Sequence, residues 1–127
     1  KLYGGRREGS LMYPTILTGT DPAMLVNCAE LFAPVITLES YSDFAEAVKQ
    51  VDDSRYGLQA GVFTRDLGRI KLAVSGIKAG GIIINDVPTW RIDHMPYGGI
   101  KESGNTREGV RWALREMTRE KFVAVRW

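Results

Sequence analysis

At 127 residues, 44% hydrophobic and 25% charged, the chain has the size and composition of one ordinary globular domain, which excludes extensive disorder. Its 17 Lys and Arg against 15 Asp and Glu leave a net charge of +2. That excludes the concentrated basic face of a nucleic-acid module, because even the densest basic stretch, 107–121, is interleaved with Glu108, Glu116 and Glu120.

One cysteine, Cys28, precludes an internal disulfide and argues against a thiolate zinc site. A reducing, cytoplasmic setting is expected, with neither a signal peptide nor a membrane span. The first residue is Lys1 rather than Met, so the chain is expected to be processed or excised from something longer.

The glycine-rich opening, residues 1–10, reads as a loop after a clipped strand. Residues 13–18 form a short β-prone run with Pro14 near its start. Asp21-Pro22 offers a helix cap followed by proline, opening a short turn through about Cys28. Residues 35–41 predict a β-branched strand. Phe44, Ala47, Val48 and Val51 then recur at helical spacing, with Ser42 as cap. Residues 58–64 predict the next strand. Asp66 is expected to cap a second helix, with Leu67, Ile70, Val74 and Ile77 as its buried stripe.

The run Ile82-Ile83-Ile84 is apolar on both faces, as in a parallel strand covered on both sides. Strand, helix, strand, helix, strand in order predicts two consecutive βαβ units. The fold class is therefore α/β, an open layered sheet built of parallel βαβ units. A long irregular stretch separates Asn85 from Gly104, of the kind that serves a site or an interface. Asn105 and Glu108 suggest a capping box for a last helix with Val110, Ala113, Leu114 and Met117 buried. Residues 121–127 read as a C-terminal extension strand without a partner in the chain.

Three motifs carry a resemblance. Glu30-Leu31-Phe32-Ala33-Pro34-Val35 is similar to a Glu-x-Phe-Gly-Pro-Val signature. Tyr56-Gly57-Leu58 is followed by residues 61–66, Gly-Val-Phe-Thr-Arg-Asp. Residues 96–104, Pro-Tyr-Gly-Gly-Ile-Lys-Glu-Ser-Gly, match a Pro-aromatic-Gly-Gly-x-Lys-x-Ser-Gly loop. In this order and spacing they resemble the aldehyde dehydrogenase superfamily, from about Tyr13 to the end of the chain.

The resemblance implies a partial catalytic domain, the carboxy-terminal part over 1–118, with 119–127 as an oligomerisation strand that pairs with a neighbouring subunit. It implies oxidation of a small-molecule aldehyde with NAD or NADP through a cysteine thioester. The nucleophilic cysteine, the general base, the oxyanion-stabilising asparagine and the Rossmann-like dinucleotide domain lie upstream in that family. The chain alone is accordingly expected to hold no catalytic residue and to be inactive. Good matches at the first and third motifs favour the hydrolytic branch over relatives that pass the acyl group to coenzyme A.

By resemblance, Glu30 is a cofactor-binding carboxylate that accepts hydrogen bonds from the vicinal hydroxyls of the nicotinamide ribose, a task suited to its two oxygens. A surface glutamate is its alternative. Phe32 resembles the aromatic residue beside the nicotinamide, or else a core phenylalanine. Ala33 replaces the commoner glycine, so a positive φ is not expected there. Asn85, Asp86 and Trp90 fall on the segment that lines the substrate tunnel, where Trp90 would narrow the passage or else pack under the loop.

Cys28 lacks the family's nucleophile setting and any flanking cation. His94, the lone histidine, has no companion for a metal site. Lys101 with Gly98 and Gly99 does not fit a phosphate cradle; Lys101 and Ser103 are expected to fix the loop instead. A reading of a different class is a free-standing binding or assembly module without redox chemistry.

Overall fold

Two parallel strand pairs carry the fold, one in each of two units. The computed structural model describes residues 2–127, which divide into two units, one up to Phe44 and one over Ala45–Trp127. Lys1, the start of the expected opening loop, lies outside the described residues.

The first unit opens on a hairpin, β1 (Arg7–Glu8) against β2 (Leu11–Met12), in antiparallel register. Gly9 at the turn has φ 59°, the left-handed region that a two-residue hairpin loop requires. The expected loop is thus a hairpin, because Gly9-Ser10 supplies the turn chemistry that glycine richness alone did not reveal.

Next, β3 (Thr15–Leu17) pairs in parallel with β4 (Val35–Thr37), Thr15 opposite Val35 and Leu17 opposite Thr37. The crossover between them contains α1 (Leu25–Cys28). Asp21 caps a turn rather than the helix itself: its Oδ1 accepts from Ala23 N at 2.8 Å, and α1 begins four residues later with Met24 as N-cap. Thr15 is buried, and its hydroxyl is satisfied twice. It accepts from Gly5 N at 2.8 Å and donates to Tyr13 O at 2.9 Å.

Helix α2 (Phe44–Asp52) begins on the last residue of the first unit. The second unit continues through β5 (Tyr56–Gly57), β6 (Gln59–Val62), α3 (Leu67–Gly76), β7 (Gly81–Ile84), β8 (Ile100–Lys101) and α4 (Val110–Met117). β6 and β7 are parallel, Gln59 opposite Gly81 and Val62 opposite Ile84. β5 and β8 are antiparallel. Of the two expected βαβ units, β6–α3–β7 is formed by directly paired parallel strands. Among the described residues the strands pair as four two-stranded ladders.

Asp66 caps α3 as expected, its carboxylate accepting from Gly68 N at 2.7 Å and Arg69 N at 3.1 Å. The expected stripe is buried only in part. Ile77 is 8% exposed and Ile70 half-buried, but Leu67 and Val74 are open at 81% and 55%, and Ala73, outside the stripe, is completely covered. Helix α3 meets α2 at Gly76, where an added Cβ would lie 2.5 Å from Val48 Cγ1.

β7 is half-buried at all four positions, so the apolar run is not enclosed on both faces. Of the expected α4 stripe, Ala113 is half-buried, whereas Val110, Leu114 and Met117 are exposed. Its helix starts at Val110 after Gly109, not at Asn105, because the backbone of Glu108 is already paired with Tyr97 in an antiparallel bridge. Residues 118–127 form no strand here. A strand needs a hydrogen-bonding neighbour, and the described residues offer none to this end.

Candidate functional site

In the first unit the crossover carries the cofactor candidates. Asn27 on α1 donates to Thr20 Oγ1 at 2.9 Å and to Asp21 O at 2.7 Å. Glu39, just beyond β4, accepts from both Thr20 N and Thr20 Oγ1 at 3.0 Å. This network ties both ends of the crossover to the strand that follows. Sequence reading missed Asn27 and Glu39, since three polar residues spread over twenty positions make no motif.

Held in this way, α1 ends at Cys28 and Glu30-Leu31-Phe32 bridges to β4. Glu30 is exposed and Phe32 is 95% exposed, so Phe32 is not a core residue of this chain. Ala33 has no positive φ, as expected; its carbonyl accepts from Val35 N, and Pro34 O accepts from Thr15 N at the foot of β3. The bridge is therefore pinned at its C-terminal end while its side chains face open space. Cys28 is half-buried, with its sulfur 3.7 Å from Ala23 O.

In the second unit Asn85, Asp86 and Trp90 share one exposed segment after β7. Asn85 has φ 61° and its Oδ1 accepts from Thr64 N at 2.8 Å. Asp86 Oδ1 accepts from Val87 N at 2.7 Å, and Trp90 N donates to Val87 O at 3.1 Å. Trp90 keeps 43% exposure. Arg91, which the motif reading passed over, lies 4.1 Å above the Tyr97 ring and 3.2 Å from Glu108 Oε2.

The third motif is a set of grips on the turn between α2 and β5. Lys101, at φ 53°, donates to Asp52 O at 2.5 Å, Asp52 Oδ1 at 3.1 Å and Ser54 O at 3.0 Å. Glu102 pairs with Arg55 and Ser103 Oγ accepts from Gly57 N at 3.0 Å. Lys101 and Ser103 fix the loop, as expected, and the ammonium is committed to protein oxygens rather than to a phosphate. The backbone N–H of Lys78, then the Lys101 side chain, holds the Asp52 carboxyl below the usual carboxylate range.

His94 is exposed, and no group of three or more His, Cys, Asp or Glu among the described residues is placed to hold a metal ion. Among the described residues no helix is long and apolar enough to cross a membrane.

The family model described as "Aldehyde dehydrogenase family" matches residues 1–123. The chain belongs to the aldehyde dehydrogenase family. It is 45% identical over 122 residues to 3-sulfolactaldehyde dehydrogenase of Priestia aryabhattai, covering 96% of this chain and 26% of that protein. The crystal structure of aldehyde dehydrogenase 21 from Physcomitrella patens, in complex with the reaction product succinate, superposes with a TM-score of 0.87 at 44% identity. It covers 91% of this chain and 24% of that one.

The NADP-dependent glyceraldehyde-3-phosphate dehydrogenase from Bacillus halodurans C-125, complexed with NADP, gives 0.87 at 38% identity, over 94% and 25%. Another family neighbour, an indole-3-acetaldehyde dehydrogenase of P. syringae, is complexed with NAD+. Aldehyde dehydrogenases of this family thus use NAD or NADP. The chain spans about a quarter of the length of the relatives it matches.

Proposed function

We propose that this chain is the carboxy-terminal part of an NAD(P)-dependent aldehyde dehydrogenase that oxidises an aldehyde to a carboxylic acid through a cysteine thioester. The observation that carries the reading is the Glu30–Phe32 bridge. A phenylalanine left 95% exposed on a segment pinned by Thr15 and Val35 is held ready for a contact outside its own core. A carboxylate two residues away fits a polar ligand edge beside that flat apolar ring.

Glu30 and Phe32 would hold the nicotinamide half of the dinucleotide, Glu30 accepting from ribose hydroxyls and Phe32 packing on the ring. The bound dinucleotide supplies the hydride acceptor. The segment from Asn85, with Asp86 and Trp90, would form one wall of the substrate tunnel. Residues 119–127 would pair with a neighbouring subunit, since an exposed end carrying Phe122, Val123, Val125 and Trp127 needs a covering partner. Cys28, tucked against Ala23 O, is not the nucleophile, so the isolated chain is inactive. The assignment of 3-sulfolactaldehyde to a relative at 45% identity supports a short polar aldehyde as substrate.

The test is aldehyde-dependent reduction of NAD and NADP by the full-length protein, with and without coenzyme A, using lactaldehyde and sulfoacetaldehyde. Turnover without coenzyme A, absent from the isolated chain, is expected. Strict dependence on coenzyme A would move the protein to the acylating branch.

A further inference from the structure

The segment placed on the tunnel wall begins at a residue whose side chain is already engaged. Asn85 N donates to Val62 O at 2.8 Å, extending the β6–β7 register by one step. The backbone then turns at φ 61°, and the carboxamide Oδ1 folds back to accept from Thr64 N at 2.8 Å. One residue is therefore stitched to both ends of the Val62–Thr64 stretch, by its amide on one side and its side chain on the other.

Residue type explains the choice. Asparagine tolerates the left-handed region better than other side chains except glycine, and glycine lacks the acceptor. Past the turn the chain is seated on β6: a Cβ on Gly61 would lie 2.8 Å from Asp86 O and 3.0 Å from Pro88 Cδ. The direction taken at Asn85 consequently sets where Asp86 to Trp90 run.

We infer that Asn85 is a positioning residue for substrate selection: its carboxamide bond to Thr64 and its left-handed turn fix the course of the 86–90 segment, and through it the place of Trp90. This rests on the tunnel-wall reading above and changes one part of it, since the Asn85 side chain faces Thr64 rather than the substrate.

The experiment uses the full-length enzyme with Asn85→Gly, which keeps the turn and removes the acceptor, and Asn85→Asp, which keeps both. Amide hydrogen exchange reads the bond without any activity. The wild-type Thr64 amide is expected to be protected, and Asn85→Gly to exchange about tenfold faster at Thr64 and across 86–90. In the same variant the preference between lactaldehyde and phenylacetaldehyde is expected to shift about threefold or more, in KM before kcat, with recovery in Asn85→Asp.

Fast exchange at Thr64 in the wild type overturns the inference. So does a preference that shifts without any change in exchange, which would mean that Asn85 touches substrate directly. If the wild type oxidises no aldehyde, the proposed function fails, while unchanged exchange in Asn85→Gly would refute the positioning role separately.

Discussion

Lys101 reaches across from β8 to Asp52, its ammonium 3.1 Å from the carboxylate and also bonded to the carbonyls of Asp52 and Ser54 at the end of α2. A cation on the last carbonyls of a helix is favourable both as a cap and against the helix dipole. Asp52 in turn accepts from Lys78 N at 2.7 Å, so one carboxylate joins the ends of α2 and α3 to the third motif.

Because the folded-state pKa of Asp52 is depressed, the unfolded state binds its proton first as pH falls. The stabilisation is present above the ordinary carboxylate range and is lost as pH drops through the depressed value. Asp52→Asn should therefore flatten the acid limb of the unfolding midpoint against pH, most clearly below pH about 4. An acid limb identical to wild type would show that the junction does not depend on this charge.

Gly76→Ala tests the α2–α3 contact. Helix propensity alone favours alanine by about 1 kcal/mol. Yet the new Cβ would meet Val48 Cγ1 at 2.5 Å, and Val48 is 5% exposed and β-branched, hence stiff. Overpacking costs about 1–3 kcal/mol, so the net expectation is destabilisation of about 1 kcal/mol by urea unfolding. Adding Val48→Ala should remove the clash, so that the pair loses less than the two single losses combined; strict additivity would count against the contact.

Thr15→Val keeps the shape of the buried side chain and removes its hydroxyl. Gly5 N loses its acceptor and Tyr13 O its donor. A loss of about 1–3 kcal/mol is expected, measured by the same unfolding curves. A neutral substitution would mean that water replaces the hydroxyl.

Phe32→Ala separates stability from binding. With 95% of the residue exposed, the unfolding free energy of the chain should change by less than about 0.5 kcal/mol. In the full-length enzyme KM for the dinucleotide should rise severalfold. A large loss of stability, or unchanged dinucleotide kinetics, would remove Phe32 from the cofactor site.

Local signals were the legible ones. Asp66 caps α3 because an aspartate before a helix satisfies orphan N–H groups wherever that helix is placed. The strand at Ile82–Ile84 and the family motifs were readable for the same reason, since each is announced by contiguous residues.

What depended on distant partners was not readable. The second parallel pair, β3 with β4, stayed hidden because a short crossover of irregular chain has no helical period to announce it. The α3 stripe was read only in part: Ile77 is buried, but Ala73 is covered while Leu67 and Val74 stay open, because burial is set by what packs on the helix and not by the spacing alone.

The amino-acid sequence by itself determined the family and the order of most elements, since motifs and caps are properties of contiguous chain. Tertiary structure alone decided that Phe32 stands bare, that Lys101 is spent on Asp52 and Ser54, and that Asn85 turns its side chain to Thr64. Exposure and hydrogen-bond partners are set by what the fold brings near, and spacing along the chain does not encode them.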